Sequence, residues 1–164
     1  MLKNQNIFIT GGNRGIGKGL VSKFCKENKV IFTVRTKQKG DDTLKDFDSP
    51  NIDYLVMDVD NQKAIKKSIR DLRLKYNNID ILINNAGILI PDLQSSYNLG
   101  ALNTSEDSIL ATFQTNTLGS LRVCKEIVPL MKNGGRIINI SSGMGQLHGM
   151  EGGSISYRLS KTAL

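Results

Sequence analysis

Thr10-Gly11-Gly12-Asn13-Arg14-Gly15-Ile16-Gly17 decides how this chain folds. It follows the apolar run Asn6-Ile7-Phe8-Ile9, which with Thr10 reads as a strand. It opens a helical pattern from Gly15 to Glu27 in which Ile16, Leu20, Val21 and Phe24 share one face. Glycines spaced TGxxxGxG between a strand and a helix make a phosphate-binding turn. Gly11 turns the chain off the strand, Gly15 lets backbone approach a pyrophosphate, and Gly17 lets the helix pack closely on the sheet. The helix start adds free N–H groups and the positive end of the helix dipole.

Outward from this turn, strand and helix patterns alternate. Strands are predicted at 30–34, 52–57, 79–83 and 136–140. Helices are predicted at 61–76, at 104–131 with Pro129 loosening the last turn, and from Ile155 onward. The stretches 36–51, 84–103 and 141–153 read as loops. The continuously apolar Val30-Ile31-Phe32-Thr33-Val34 suits a strand buried on both faces. Alternation of this kind with right-handed crossovers predicts an α/β fold, a Rossmann-like doubly wound parallel sheet with helices on both faces. At 164 residues the chain is one domain.

Charge narrows the ligand. Residues 1–39 carry nine basic side chains against the single acid Glu27, whereas the rest of the chain is nearly neutral. A basic amino-terminal block suits nucleic acid, an acidic membrane or a phosphorylated ligand. No aromatic stacking pattern supports nucleic acid, and no apolar run is long enough for a membrane span. MLKNQNIFIT is too short and too quickly polar for a secretory signal, and Cys25 and Cys124 form no disulfide framework, so a cytoplasmic protein with two buried free thiols is expected. The cysteines have no metal-ligand spacing, and no metal is expected. An acid closing the second strand would bind a ribose 2′-hydroxyl, whereas an Arg accommodates a 2′-phosphate. Here the strand ends in Arg35, with Lys37 and Lys39 following and Arg14 in the turn, so NADP(H) is favoured over NAD(H).

With these residues, Asn84-Asn85-Ala86-Gly87, Ser141-Ser142 and Tyr157-Arg158-Leu159-Ser160-Lys161, the chain resembles the short-chain dehydrogenase/reductase family from residue 5 onward. The carbonyl-reductase-like members are the nearest in pattern. The resemblance implies a cofactor site of Gly11, Asn13, Arg14, Gly15, Ile16, Gly17 and Arg35, with Asp58 and Val59 at the adenine and Asn85, Ala86 and Gly87 bordering the adenosine. Tyr157 and Lys161 reach the nicotinamide end. It implies a catalytic set of Asn116, Ser142, Tyr157 and Lys161. In that set Asn116 holds a helix distortion and a relay water, and Ser142 is chosen as the second of its pair.

The residue types suit that chemistry. Tyr and Lys at i and i+4 share a helix face. A phenol is ordinarily too weak an acid for neutral pH, and an ammonium 4–5 Å away stabilises a phenolate by roughly 3–4 kcal/mol at an effective dielectric near 20. A serine hydroxyl beside it polarises a carbonyl oxygen. The implied reaction is reduction of an aldehyde or ketone to an alcohol, or the reverse. The implied assembly is a homo-oligomer, dimer or tetramer, with no nucleic-acid or membrane partner.

Two departures from the family pattern stand out. The loop from Ser142 to Tyr157 is long and glycine-rich, and His148 within it reads as solvent-exposed. The sequence also ends at Leu164, inside the helix that carries Lys161, at about two-thirds of a typical member's length. The family's last strands are then missing, so a protein of only these residues is expected to be poorly stable and nearly inactive. A non-catalytic dinucleotide-binding or regulatory fragment is the alternative reading.

Overall fold

The structure is a computed structural model and describes residues 2–90, 104–149 and 152–164. Its elements, in order, are β1 (Asn6–Ile9), α1 (Gly15–Phe24), β2 (Lys29–Val34), α2 (Lys37–Lys45), β3 (Ile52–Val56), α3 (Gln62–Lys75), β4 (Ile79–Asn84), α4 (Glu106–Phe113), a π-turn (Gln114–Leu118), α5 (Gly119–Ile127), a 3-10 turn (Val128–Leu130), β5 (Met131–Asn139) and α6 (Ile155–Ala163). A further 3-10 turn spans Gly143–Gly145. The strands pair in parallel in the order β3-β2-β1-β4-β5. Strand order therefore reverses between β1 and β4, and a crevice opens beyond their carboxyl ends, where α/β sheets bind ligands.

Two cores result from the alternation of side chains along the strands. Ile7 and Ile9 point to the face covered by α1 and α2, with Val21, Phe32 and Ile83. Phe8 points to the opposite face, against Ile65, Ile69 and Leu72 of α3 and Val123 and Ile127 of α5. The doubly wound parallel fold expected from the sequence is the one observed.

Three expectations are corrected. The stretch 36–51 contains a helix, α2, capped by the Thr36 side chain accepting from the Lys39 amide. Leu44 is its one apolar side chain packed on the core, and Gly40, buried beneath the Tyr54 ring, provides its close approach to the sheet. The helix expected over 104–131 is divided by the π-turn and ends in the 3-10 turn that contains Pro129, while Met131 already belongs to β5. The fifth strand thus begins earlier than 136: Ile79 pairs with Met131, but Ile81 pairs with Arg136, and the intervening residues bulge out around Gly134 at φ +87°. β5 is the edge of the described sheet, with Ile137 and Ile138 exposed. The loop expected over 84–103 lies largely outside the described residues.

Candidate active site

Thr10, the last residue before the glycine turn, fixes the floor of the crevice. Its hydroxyl accepts the amides of Asn85 (3.0 Å) and Ala86 (2.9 Å). The Asn85 side-chain amide in turn donates to the carbonyls of Thr10 (2.9 Å) and Gly11 (3.0 Å). From the other side, the Thr33 hydroxyl of β2 accepts the Gly11 amide (3.1 Å) and its carbonyl accepts that of Gly12 (3.1 Å). The turn is thereby fastened to both neighbouring strands. Gly11 sits at φ +70°, as its sharp turn requires.

The cleft above this floor has a volume of about 360 Å³. The turn contributes Gly11, Asn13, Arg14, Gly15, Ile16 and Gly17. β2 and its exit contribute Thr33, Val34, Arg35 and Lys39. Met57, Asp58, Val59 and Asp60 line it beyond β3, Asn85, Ala86, Gly87 and Ile88 beyond β4, and Thr115 from the π-turn. Every residue assigned to dinucleotide binding at the turn, at Arg35, at Asp58–Val59 and at Asn85–Gly87 therefore faces one cavity. Ile16, on the same helical face as Leu20 and Val21 in the sequence pattern, is 67% exposed and lines the cleft with the other residues of the turn. It occupies the first turn of α1, next to the glycine turn. Asp58 also uses its carboxylate locally, accepting the Asp60 amide.

α1 differs from α2, α3 and α4 at its start. Thr36, Asn61 and Ser105 cap those helices with side-chain oxygens, whereas the N-cap of α1, Arg14, makes no side-chain cap bond. The unsatisfied N–H groups of a helix start need a partner. Gly15, at φ +53°, has nothing within 4 Å of where a Cβ would stand. An uncapped helix N-terminus beside open space and the cations of Arg14, Arg35 and Lys39 suits a phosphorylated ligand.

α6 carries Tyr157 and Lys161, which, like Asn116 and Ser142, do not line this cleft; Lys161 comes up behind its Gly87 wall. Lys161 is buried, its ammonium donating to the Ile140 carbonyl beyond β5 at 2.7 Å and lying 5.8 Å from the centre of the Tyr157 ring. Burial pushes its pKa down. Asn116, fully buried in the π-turn, grips Ile88 twice: its Oδ1 accepts the amide (2.8 Å) and its Nδ2 donates to the carbonyl (2.9 Å). A Cβ on Gly87 would stand 3.1 Å from Asn116 Oδ1 and 3.6 Å from Lys161 Nζ, so this glycine is where the two meet. Arg158 holds the turn into α6 by donating to the carbonyls of Gly153 (2.9 Å) and Gly152 (3.3 Å).

Ser141 and Ser142 are used differently. The Ser141 hydroxyl donates to the Lys161 carbonyl (3.0 Å), whereas that of Ser142 accepts the Met144 amide (3.1 Å) in the following 3-10 turn. Among the described residues, neither the Ser142 nor the Tyr157 hydroxyl is hydrogen-bonded to Lys161. His148 is exposed, as expected. Cys25 is buried but Cys124 only half-buried, a correction to the expectation that both were buried. Thr33, Ile88 and Thr115 belong to the site without a motif that marks them, and the fastening role of Thr10 goes beyond its place in the glycine motif. Only the threonines at the strand ends beside a glycine turn carried a signal, since a hydroxyl there has orphan amides to accept.

The comparisons agree with this geometry. A family model described as short chain dehydrogenase matches residues 5–164. Carbonyl reductase (NADPH) 1 of Rattus norvegicus is 31% identical over 140 residues, covering 82% of this chain and 47% of that protein. Chlorophyll(ide) b reductase NOL of Oryza sativa is 33% identical over 149 residues, covering 85% and 42%. The chain thus spans about half the length of the curated relatives it matches. Among solved structures, an NADPH-bound carbonyl reductase from chicken fatty liver superposes with a TM-score of 0.84 at 28% identity, over 99% of this chain and 71% of that one. ElxO with NADP bound gives 0.85 at 32% identity, over 98% and 63%. With the family model matching from the first strand through the last helix, this chain belongs to the short-chain dehydrogenase family.

Proposed function

We propose that residues 1–164 form a single NAD(P)-binding domain that carries the catalytic machinery of an NADP(H)-dependent oxidoreductase, reducing an aldehyde or ketone to an alcohol or running the reverse. The observation that carries the reading is the uncapped start of α1, open over Gly15 and ringed by Arg14, Arg35 and Lys39. The names of the two NADP(H)-bound neighbours and of the carbonyl reductases support the choice of cofactor.

In this reading the α1 amides and Gly15 take the pyrophosphate, and Arg14, Arg35 and Lys39 take the 2′-phosphate. Asp58 and Val59 border the adenine. When bound, the cofactor supplies the hydride. Tyr157 gives its hydroxyl proton to the carbonyl oxygen as that oxygen gains charge. Lys161, held on the Ile140 carbonyl, stabilises the phenolate left behind. Ser142, which accepts the Met144 amide on one lone pair, donates its proton to the same oxygen. Asn116 holds the Gly87–Ile88 segment beside Lys161. Exposed Leu110 of α4, Leu121 of α5 and Val128 of the 3-10 turn that follows support a homo-oligomer, dimer or tetramer. A cytoplasmic location without nucleic-acid or membrane partners completes the reading.

The test is fluorescence titration of the full-length protein with NADPH and NADH, followed by turnover of a simple aldehyde. NADPH binds more tightly. Arg35→Ser with Lys39→Ser weakens NADPH about 10–100-fold, the equivalent of about 1.5–3 kcal/mol for a charge-assisted contact, and leaves NADH nearly unchanged. Tyr157→Phe abolishes turnover but not NADPH binding. Tighter binding of NADH overturns the cofactor assignment, and full turnover by Tyr157→Phe overturns the mechanism.

A further inference from the structure

Ser160 lies between Tyr157 and Lys161 in sequence and is fully buried. Its hydroxyl, with one proton and two lone pairs, donates to the Tyr157 carbonyl (2.7 Å) and accepts from Asn116 Nδ2 (2.9 Å). Its own carbonyl accepts the Thr117 hydroxyl (2.8 Å). Two consecutive residues of the π-turn therefore seize one residue of α6, by side chain and by main chain. Asn116 extends the connection to both backbone groups of Ile88, which lines the cleft.

We propose that Ser160 is a positioning residue, the peg on which the π-turn sets the depth and rotation of α6, and with them the placement of Tyr157 and Lys161 against the Gly87–Ile88 wall. This rests on the functional reading above. Without the Ser160 hydroxyl, an N–H of Asn116 is left unpaired where no water reaches it, and among the described residues α6 keeps only the Thr117 hydrogen bond to the π-turn. Lys161 meets the Ile140 carbonyl at 2.7 Å, so a small slide of α6 disturbs it directly. A misplacement of about 1 Å at a catalytic group is enough to lower a rate about 100-fold.

The experiment compares Ser160→Ala and Ser160→Thr in the full-length protein by hydrogen exchange, steady-state kinetics and the pH dependence of kcat. In Ser160→Ala, the amides of α6 and of Ile88 exchange at least tenfold faster while those of β1 and β2 are unchanged. Its kcat falls about 10–100-fold, with carbonyl KM and NADPH affinity within about threefold. The titration that reports the general acid moves to higher pH, a change that a purely structural serine would not produce. Ser160→Thr keeps the hydroxyl and recovers most of the rate. Should Ser160→Ala fail to fold, Thr117→Val removes the second grip and shifts kcat and pH profile in the same direction. Wild-type kcat and pH profile in Ser160→Ala, or in Thr117→Val where that variant stands in, overturn the proposal. If the unmodified protein reduces no carbonyl, the functional reading falls, and unchanged exchange in Ser160→Ala then removes the peg as well.

Discussion

Three glycines of α1 separate packing from ligand approach, and substituting each by Ala isolates one property. At Gly17 a Cβ would run into the Gly11 carbonyl oxygen and stand 2.6 Å from Asn85 Nδ2. Relief requires α1 to move away from the turn, which breaks the 3.0 Å bond from Asn85 to Gly11. Overpacking costs about 1–3 kcal/mol and the lost bond about 1 kcal/mol. Alanine's better helix propensity returns up to about 1 kcal/mol. The net expected for Gly17→Ala is therefore a loss of about 1–4 kcal/mol. Gly19 is exposed in the same helix with nothing within 4 Å of a Cβ, so Gly19→Ala gains about 0.5–1 kcal/mol. Gly15 also has open space, but φ +53° costs Gly15→Ala about 1–2 kcal/mol, and its methyl projects where the phosphate must come. Urea unfolding at pH 7 ranks the stabilities Gly19→Ala, wild type, Gly15→Ala, with Gly17→Ala at or below the last. Titration with NADPH then shows Gly15→Ala weakened at least tenfold and Gly19→Ala unchanged. Equal stability of Gly17→Ala and Gly19→Ala would refute the close-packing argument. Wild-type NADPH affinity in Gly15→Ala would refute the location of the phosphate.

Burial holds the Lys161 pKa below its unfolded value of 10.5, so the unfolded chain binds more protons between the two values. The contribution of Lys161 to stability therefore rises with pH from its lowered folded pKa to about 10.5. The urea midpoint of Lys161→Met lacks this rise, and an identical pH dependence in both proteins would contradict it. Tyr54 donates to the Asp41 carboxylate, which with burial pushes its pKa up to about 12. Its stabilising contribution is complete below the unfolded value of 10.0 and is lost as pH rises toward 12. In a 295 nm titration Tyr54→Phe removes a late-ionising tyrosine, and loss of an ordinary one instead would sink the assignment.

The strands and the glycine turn were legible because buried parallel strands demand apolar runs, and the turn demands glycines at fixed offsets. Helix α2 was not, because its packing rests on the missing side chain of Gly40 against Tyr54 rather than on an apolar stripe. The cofactor wall at Asn85–Gly87 was legible as a motif. Its fastening by Thr10 and Thr33 was not, since a threonine at a strand end reads as ordinary strand chemistry. The distortion at Asn116 was anticipated through the family pattern, but the grip on Ser160 depends on contacts 44 residues apart that no local spacing encodes.

The π-turn Gln114–Leu118 amounts to an α-helix carrying one residue too many, which puts α4 and α5 out of phase by about 100°. It acts as a vernier. Deleting any single residue between 114 and 118 would restore a continuous helix. Every side chain beyond it would then turn by that angle relative to α4, swinging Val123 and Ile127 out of the core and bringing exposed Leu121 toward it. The residue count of this helix, more than any one side chain in it, keeps the apolar face of α5 on the sheet while Asn116 points at α6.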